Sequence, residues 1–143
     1  MSKVGVVDMV RVLDETQLGK QHAAELKARW DERKAAYDRR REAVSIPGGR
    51  PVEPEALARE LQQLDVDAQR DLGELRSSMI KDVTQKAREA LKTLCAEKGV
   101  DVVVEKSAVV FFSDPAADLT AELMARLDAK PDTGAKPAPR KKR

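Results

Sequence analysis

From Leu57 to Leu94 an apolar residue recurs every three or four positions: Leu57, Leu61, Leu64, Ala68, Leu72, Leu75, Met79, Val83, Ala87, Ala90 and Leu94. Such spacing lays all of them along one stripe of a single long α-helix. The stretch before it also reads as helix, from Thr16 to Val44, with Leu18, Leu26, Trp30, Tyr37 and Val44 as its larger apolar residues. Trp30, Tyr37 and Val44 step by seven, but the seam's other positions continue as Arg33 and Arg40, so this heptad is sparse. At about 1.5 Å per residue this segment extends roughly 40 Å.

Between the two helices, Pro47 and Pro51 cannot supply helical amide donors, and Gly48-Gly49 permits positive φ. Glu53-Pro54-Glu55 suits a restart, with Pro in the first turn and acids at the positive helix end. The expectation is a helical hairpin over residues 16–98 with its tip at 45–53. Gly19 is a weak point near its start, and Gly99 a stop at its end.

The flanking segments are short, apolar and β-like. Lys3-Val4-Gly5-Val6-Val7 reads as a strand, followed by a brief helix capped by Asp8. Val100–Glu105 reads as a second strand and Ala108–Phe112 as a third, the two joined at Lys106-Ser107 as a hairpin. Ser113-Asp114-Pro115 then opens a last helix, whose buried face is Leu119, Leu123, Met124 and Leu127. Pairing the first strand with that hairpin brings both ends of the chain together. The fold class expected is α+β: a small β body from residues 1–15 and 99–129, with the helical hairpin as a projecting arm. A three-stranded sheet leaves two edges open, and open edges invite further copies. Residues 130–143, rich in Pro, Ala and Lys and ending Arg140-Lys141-Lys142-Arg143, read as a disordered basic tail.

Charged residues make up 36% and aromatic residues 3%, which fits solvated helices better than a dense globule. A formal charge of +2 demands neither nucleic acid nor membrane as a partner. Cys95 is the single cysteine and His22 the single histidine, so an intrachain disulfide is impossible and a zinc site has no ligand set. Cys95 reads as a small hydrophobe and His22 as an exposed helix residue. A nucleophile and its base must meet at hydrogen-bond distance, and no Ser/His/Asp or Cys/His set can be assembled here. Gly48-Gly49 also lacks the Lys-Ser/Thr of a phosphate loop. The expectation is a protein that is not an enzyme and needs no cofactor. No apolar run reaches the roughly 20 residues of a membrane span. Asp8 comes too early for a signal-peptide apolar region before it.

Two blocks of residues resemble the Skp/OmpH family of periplasmic chaperones. One is Val6-Val7-Asp8-Met9 with Arg11-Val12-Leu13. The other is Lys98-Gly99-Val100-Asp101-Val102-Val103-Val104-Glu105-Lys106-Ser107, continuing through Val109-Val110-Phe111-Phe112 to Asp114-Pro115 and Asp118-Leu119-Thr120. The order of elements matches over about residues 3–127, and the arms match in character. The resemblance implies a homotrimer with a β-barrel-like body and three helical hairpins around a cavity. It also implies an ATP-independent holdase for unfolded outer-membrane proteins, located in the periplasm. The absence of a leader in this chain keeps a cytoplasmic location open.

Val4, Val6, Val102, Val104, Val109 and Phe111 are the residues expected to build the oligomerising body. Leu26, Trp30, Tyr37, Leu61 and Leu64 are candidate client contacts, although seam residues more commonly pack one arm on the other. Arg39, Arg40 and Arg41, with Arg50 near the tip, form a basic cluster suited to acidic clients or an anionic membrane surface, or to plain solvation. The rival reading is a cytoplasmic coiled-coil scaffold whose basic tail contacts nucleic acid or anionic membrane, with nucleic acid the less favoured partner.

Overall fold

A computed structural model of the chain describes residues 3–44, 48 and 52–129. The expected basic tail at 130–143, Arg50 and most of the hairpin tip lie outside the described residues. In order, the elements are β1 (Val4–Val7), α1 (Met9–Glu15), α2 (Gln17–Ala43), α3 (Pro54–Lys98), β2 (Val102–Glu105) and α4 (Thr120–Ala129). Single 3-10 turns occupy Lys106–Ala108 and Pro115–Ala117. Contacts divide the chain into two units: described residues up to His22 with those from Ile80 onward, and Ala23–Met79.

In the first unit β1 and β2 form a two-stranded parallel sheet, with Val4 opposite Val102 and Val7 opposite Glu105. Its core gathers Val7, Val12, Leu18, Val83, Ala87, Leu94, Val100, Leu119 and Leu123, all buried. The C-terminal part of the α3 stripe therefore packs on the sheet and on α4. Asp101 and Lys3 tie the strand starts together: the Lys3 amide donates to the Asp101 carboxylate at 3.0 Å and the Asp101 amide to the Lys3 carbonyl at 2.8 Å. α3 ends where Gly99 takes φ +70°, the left-handed geometry for which glycine has no steric cost.

The hairpin expected over Val100–Phe112 does not form. β2 is present, but Ala108–Phe112 is not a strand, and Val110 and Phe111 are 102% and 79% exposed. A tight β-hairpin needs residues at positive φ, normally Gly, Asn or Asp. Lys106-Ser107-Ala108 offers none and coils into a right-handed 3-10 turn instead. The last helix is also divided. Asp114 caps the Pro115–Ala117 turn by accepting from the Ala116 amide at 2.9 Å. Asp118 then bridges to Val6, and α4 begins only at Thr120.

The break before α2 lies at Thr16, three residues earlier than the weak point expected at Gly19. The fully buried Thr16 hydroxyl donates to the Val12 carbonyl at 2.6 Å and accepts from the Gly19 amide at 3.0 Å, closing α1 and capping α2. Gly19 serves this bend differently: a Cβ there would lie 1.8 Å from the Leu13 carbonyl oxygen. Thr16→Val keeps the shape but strands both backbone groups, so a loss of about 1–3 kcal/mol is expected. Urea unfolding should show the midpoint fall, and Thr16→Ser should restore most of it.

Candidate functional site

The register of the sheet assigns its two faces. Gly5, Val7, Val103 and Glu105 share one face, while Val4, Val6, Val102 and Val104 share the other. The first face meets α3, whose Thr84, Ala87, Arg88, Leu91, Lys92 and Cys95 recur at helical spacing. Between them lies a recess of about 450 Å³, apolar at Val7, Ala87, Leu91, Cys95 and Val103 and rimmed by Arg88, Lys92 and Glu105. Burial pushes the Cys95 thiol up, the direction that keeps it protonated and unreactive.

Four of the six residues expected to build the body thus occupy one sheet face. Val6 is buried and Val104 half-buried, whereas Val4 and Val102 are about half exposed. Val109 is half-buried just after the 3-10 turn, and Phe111 stands in solvent. Val4 and Val102 on the sheet, and Val110 and Phe111 in the segment after β2, are exposed apolar residues of the single chain.

The two blocks that carry the family resemblance meet at the end of β1. The Asp8 amide donates to the Thr120 hydroxyl at 2.9 Å, and the Asp8 side chain accepts from the Arg11 amide at 3.3 Å. Glu105, ending β2, accepts from the Met9 amide at 3.2 Å, placing its charge at the positive end of α1. Burial opposes ionisation of Asp118, but hydrogen bonds from Thr120 and the charges of Lys106 and Arg11 outweigh it, so its carboxyl sits below the ordinary value. The Asp-Met, Glu-Lys and Asp-Leu-Thr positions are mutual caps, and their work is to fix the strand ends.

In the second unit the charged seam positions of α2 find partners on α3. Arg33 pairs with Asp71, and Arg40 makes a two-pronged contact with Glu60 at 2.6 and 3.1 Å. Hydrogen bonds from Arg40 hold the Glu60 carboxyl below its usual range and raise the Arg40 guanidinium. A depressed carboxyl favours the folded state above its unfolded pKa, so this contribution fades as pH falls through the folded value. Neither partner of these pairs was legible as such. The only signal in the sequence is that Asp71 and Glu60 flank the apolar stripe of α3.

Trp30, Tyr37, Leu64, Ala68 and Leu72 surround a second recess of about 270 Å³, with Arg33 and Asp65 at its edge. Trp30 remains 50% exposed. Of the candidate client residues, the structure therefore brings Trp30, Tyr37 and Leu64 together. Leu26 and Leu61 are half-buried elsewhere along the helices, and Arg39 and Arg41 face solvent. His22, expected to be exposed, is half-buried: its Nε2 lies 2.9 Å from Asp82, which also pairs with Lys86. Among the described residues no three His, Cys, Asp or Glu side chains cluster as metal ligands, and no helix is long and apolar enough to cross a membrane.

The family described as outer membrane protein (OmpH-like) matches residues 52–127, more than half of the chain. No curated protein sequence matches. Among solved structures, similarity is found to a candidate outer membrane chaperone (OmpH-like) of Caulobacter crescentus. It is 20% identical, with a TM-score of 0.58, covering 91% of this chain and 86% of that one. At that identity the likeness speaks for the fold, and it agrees with the α+β architecture described above.

Proposed function

Because the chain belongs to the OmpH-like family of outer membrane proteins, we propose that it is an ATP-independent holdase chaperone that keeps unfolded outer-membrane proteins soluble. The observation that carries this reading is the incomplete cover of the α3 stripe in the second unit. A continuous apolar stripe faces a partner helix that offers few large apolar residues, leaving Trp30 half exposed beside an open recess. Val66 on α3, in the same unit, also stands in solvent. Surface of this kind, dispersed and bordered by Arg–carboxylate pairs, suits many weak contacts with a nonnative chain.

Unfolded β-barrel proteins alternate apolar and polar residues along segments of about ten residues. A holdase for them needs scattered apolar contact under a polar rim, without a deep pocket that would trap one segment. Arg39 and Arg41, exposed on α2, add a positive surface for acidic clients or lipid headgroups. Three copies, joined through the body residues Val4, Val102, Val104, Val109 and Phe111, would enclose the client between their helices, while Val6, buried in its own chain, supports the sheet from within. Such an assembly works in the periplasm, where ATP is not at hand. The cytoplasmic scaffold reading gains no support from the family match.

The test is dilution of a urea-unfolded outer-membrane β-barrel protein into buffer without ATP, followed by light scattering. The chain at three copies per client is expected to abolish most of the scattering. Scattering equal to that of client alone, with the chain itself folded and trimeric, would overturn the holdase reading.

A further inference from the structure

We propose that the recess walled by Trp30 and Tyr37 is a seat for one aromatic side chain with a polar hydrogen, a tyrosine or tryptophan of an unfolded β-barrel segment. The inference rests on the holdase reading above and adds to it which client side chain is held, and by which residues. The recess lies wholly within the second unit and measures about 270 Å³. That is smaller than the roughly 300–1,000 Å³ of sites for drug-sized molecules and suits one large side chain. Leu64, Ala68 and Leu72 supply its apolar wall on α3, and the two rings, seven residues apart, share one face of α2. Trp30 lines this space yet is 50% exposed, so half of its surface remains for an incoming group. The second unit has no further ring of its own to place there: the chain's other aromatic residues are Phe111 and Phe112, both in the first unit.

Charge and hydrogen bonding narrow the occupant. At the rim Arg33 is held by Asp71, and Lys34 pairs with Asp38 at 3.0 Å. Asp65 makes no ion pair among the described residues. One of its carboxylate oxygens accepts from Gln69 at 3.0 Å, which leaves the other as an open acceptor. An aliphatic side chain would cover the apolar wall and leave that acceptor to water. A lysine would meet the carboxylate, but Arg33 and Lys34 stand at the same rim and repel a further cation. A tyrosine or tryptophan satisfies both parts: its ring packs on Trp30 and Tyr37, and its O–H or N–H donates to Asp65. β-barrel proteins carry aromatic girdles at both membrane interfaces, so an unfolded client brings many such side chains.

Trp30 is the single tryptophan of the chain, so its fluorescence reads the recess directly. The full chain is titrated with tryptophan-free peptides of about ten residues that alternate alanine and threonine around one central tyrosine, phenylalanine, leucine or lysine. The tyrosine peptide is expected to change Trp30 emission saturably and at the lowest concentration. The leucine peptide should need roughly 2- to 12-fold more, the factor one ring pair contributes. Phenylalanine should fall between them. In Asp65→Ala the tyrosine and phenylalanine midpoints should coincide, because the acceptor is gone while the ring wall remains. Ala68→Leu places a side chain in the recess and should abolish the response, with far-UV circular dichroism unchanged. Equal midpoints for tyrosine and leucine on the native chain would overturn the seat, as would lysine binding first or no change in emission with any peptide. Suppression of client scattering, measured on the same preparation, separates the two readings. If it persists while the peptides do not discriminate, the aromatic seat falls and the holdase stands; if it is absent, the holdase reading falls as well.

Discussion

Replacing Phe111 by Asp is expected to turn the assembled protein into a folded monomer. Phe111 is solvent-exposed in the single chain, so the substitution leaves the core untouched and the subunit keeps its helix content. In the proposed assembly the same position is buried, and an unpaired carboxylate there costs several kcal/mol at each contact. Three such contacts per ring make the loss decisive at micromolar concentration. Light scattering should report the fall in mass, and far-UV circular dichroism should be unchanged. A Phe111→Asp chain that stays at the native mass would show that the segment after β2 is not part of the contact.

Leu94→Ala acts on the opposite side of that distinction. Leu94 is fully buried in the core shared by the sheet, α3 and α4. Truncation leaves a cavity whose cost is about 2–5 kcal/mol, a large share of the stability of a domain of this size. The expected result is loss of the folded body, with assembly lost as a consequence. Ile80→Ala, at a residue 40% exposed on the same helix, should change stability by about 0.5 kcal/mol or less. Urea midpoints of the two variants give the comparison. Similar midpoints would mean that the α3 stripe is not what anchors the body.

The periodic part of this fold was legible because burial follows helical geometry residue by residue. Every stripe position from Leu57 to Leu94 is buried or half-buried, and the helix starts at Pro54 and stops at Gly99 as the breakers indicate. The Asp8 cap was legible because it depends on a short local pattern, and the pairing of β1 with β2 because two short apolar segments at opposite ends of the chain each need a partner. What escaped was non-local or a matter of copies. Val109–Phe112 has strand-forming residues, but a strand needs a partner, and the Lys106–Ala108 turn does not return the chain onto β2. Arg33 and Arg40 looked like defects in a heptad, because the acids that meet them lie on another helix at separations no local pattern encodes. Both recesses are products of packing. Their linings come from segments far apart in sequence, and only the α3 half of the first could have been drawn from spacing alone.

A holdase of this kind requires that several copies of the chain hold one unfolded client in solution. The most direct measurement is light-scattering mass after size exclusion, first of the full chain and then of the chain mixed, without ATP, with a urea-diluted outer-membrane β-barrel protein. The predicted results are about 47 kDa for the chain alone, three times its 15.8 kDa, and a soluble species heavier by one client in the mixture. A chain that elutes at its own mass while the client precipitates would contradict the account.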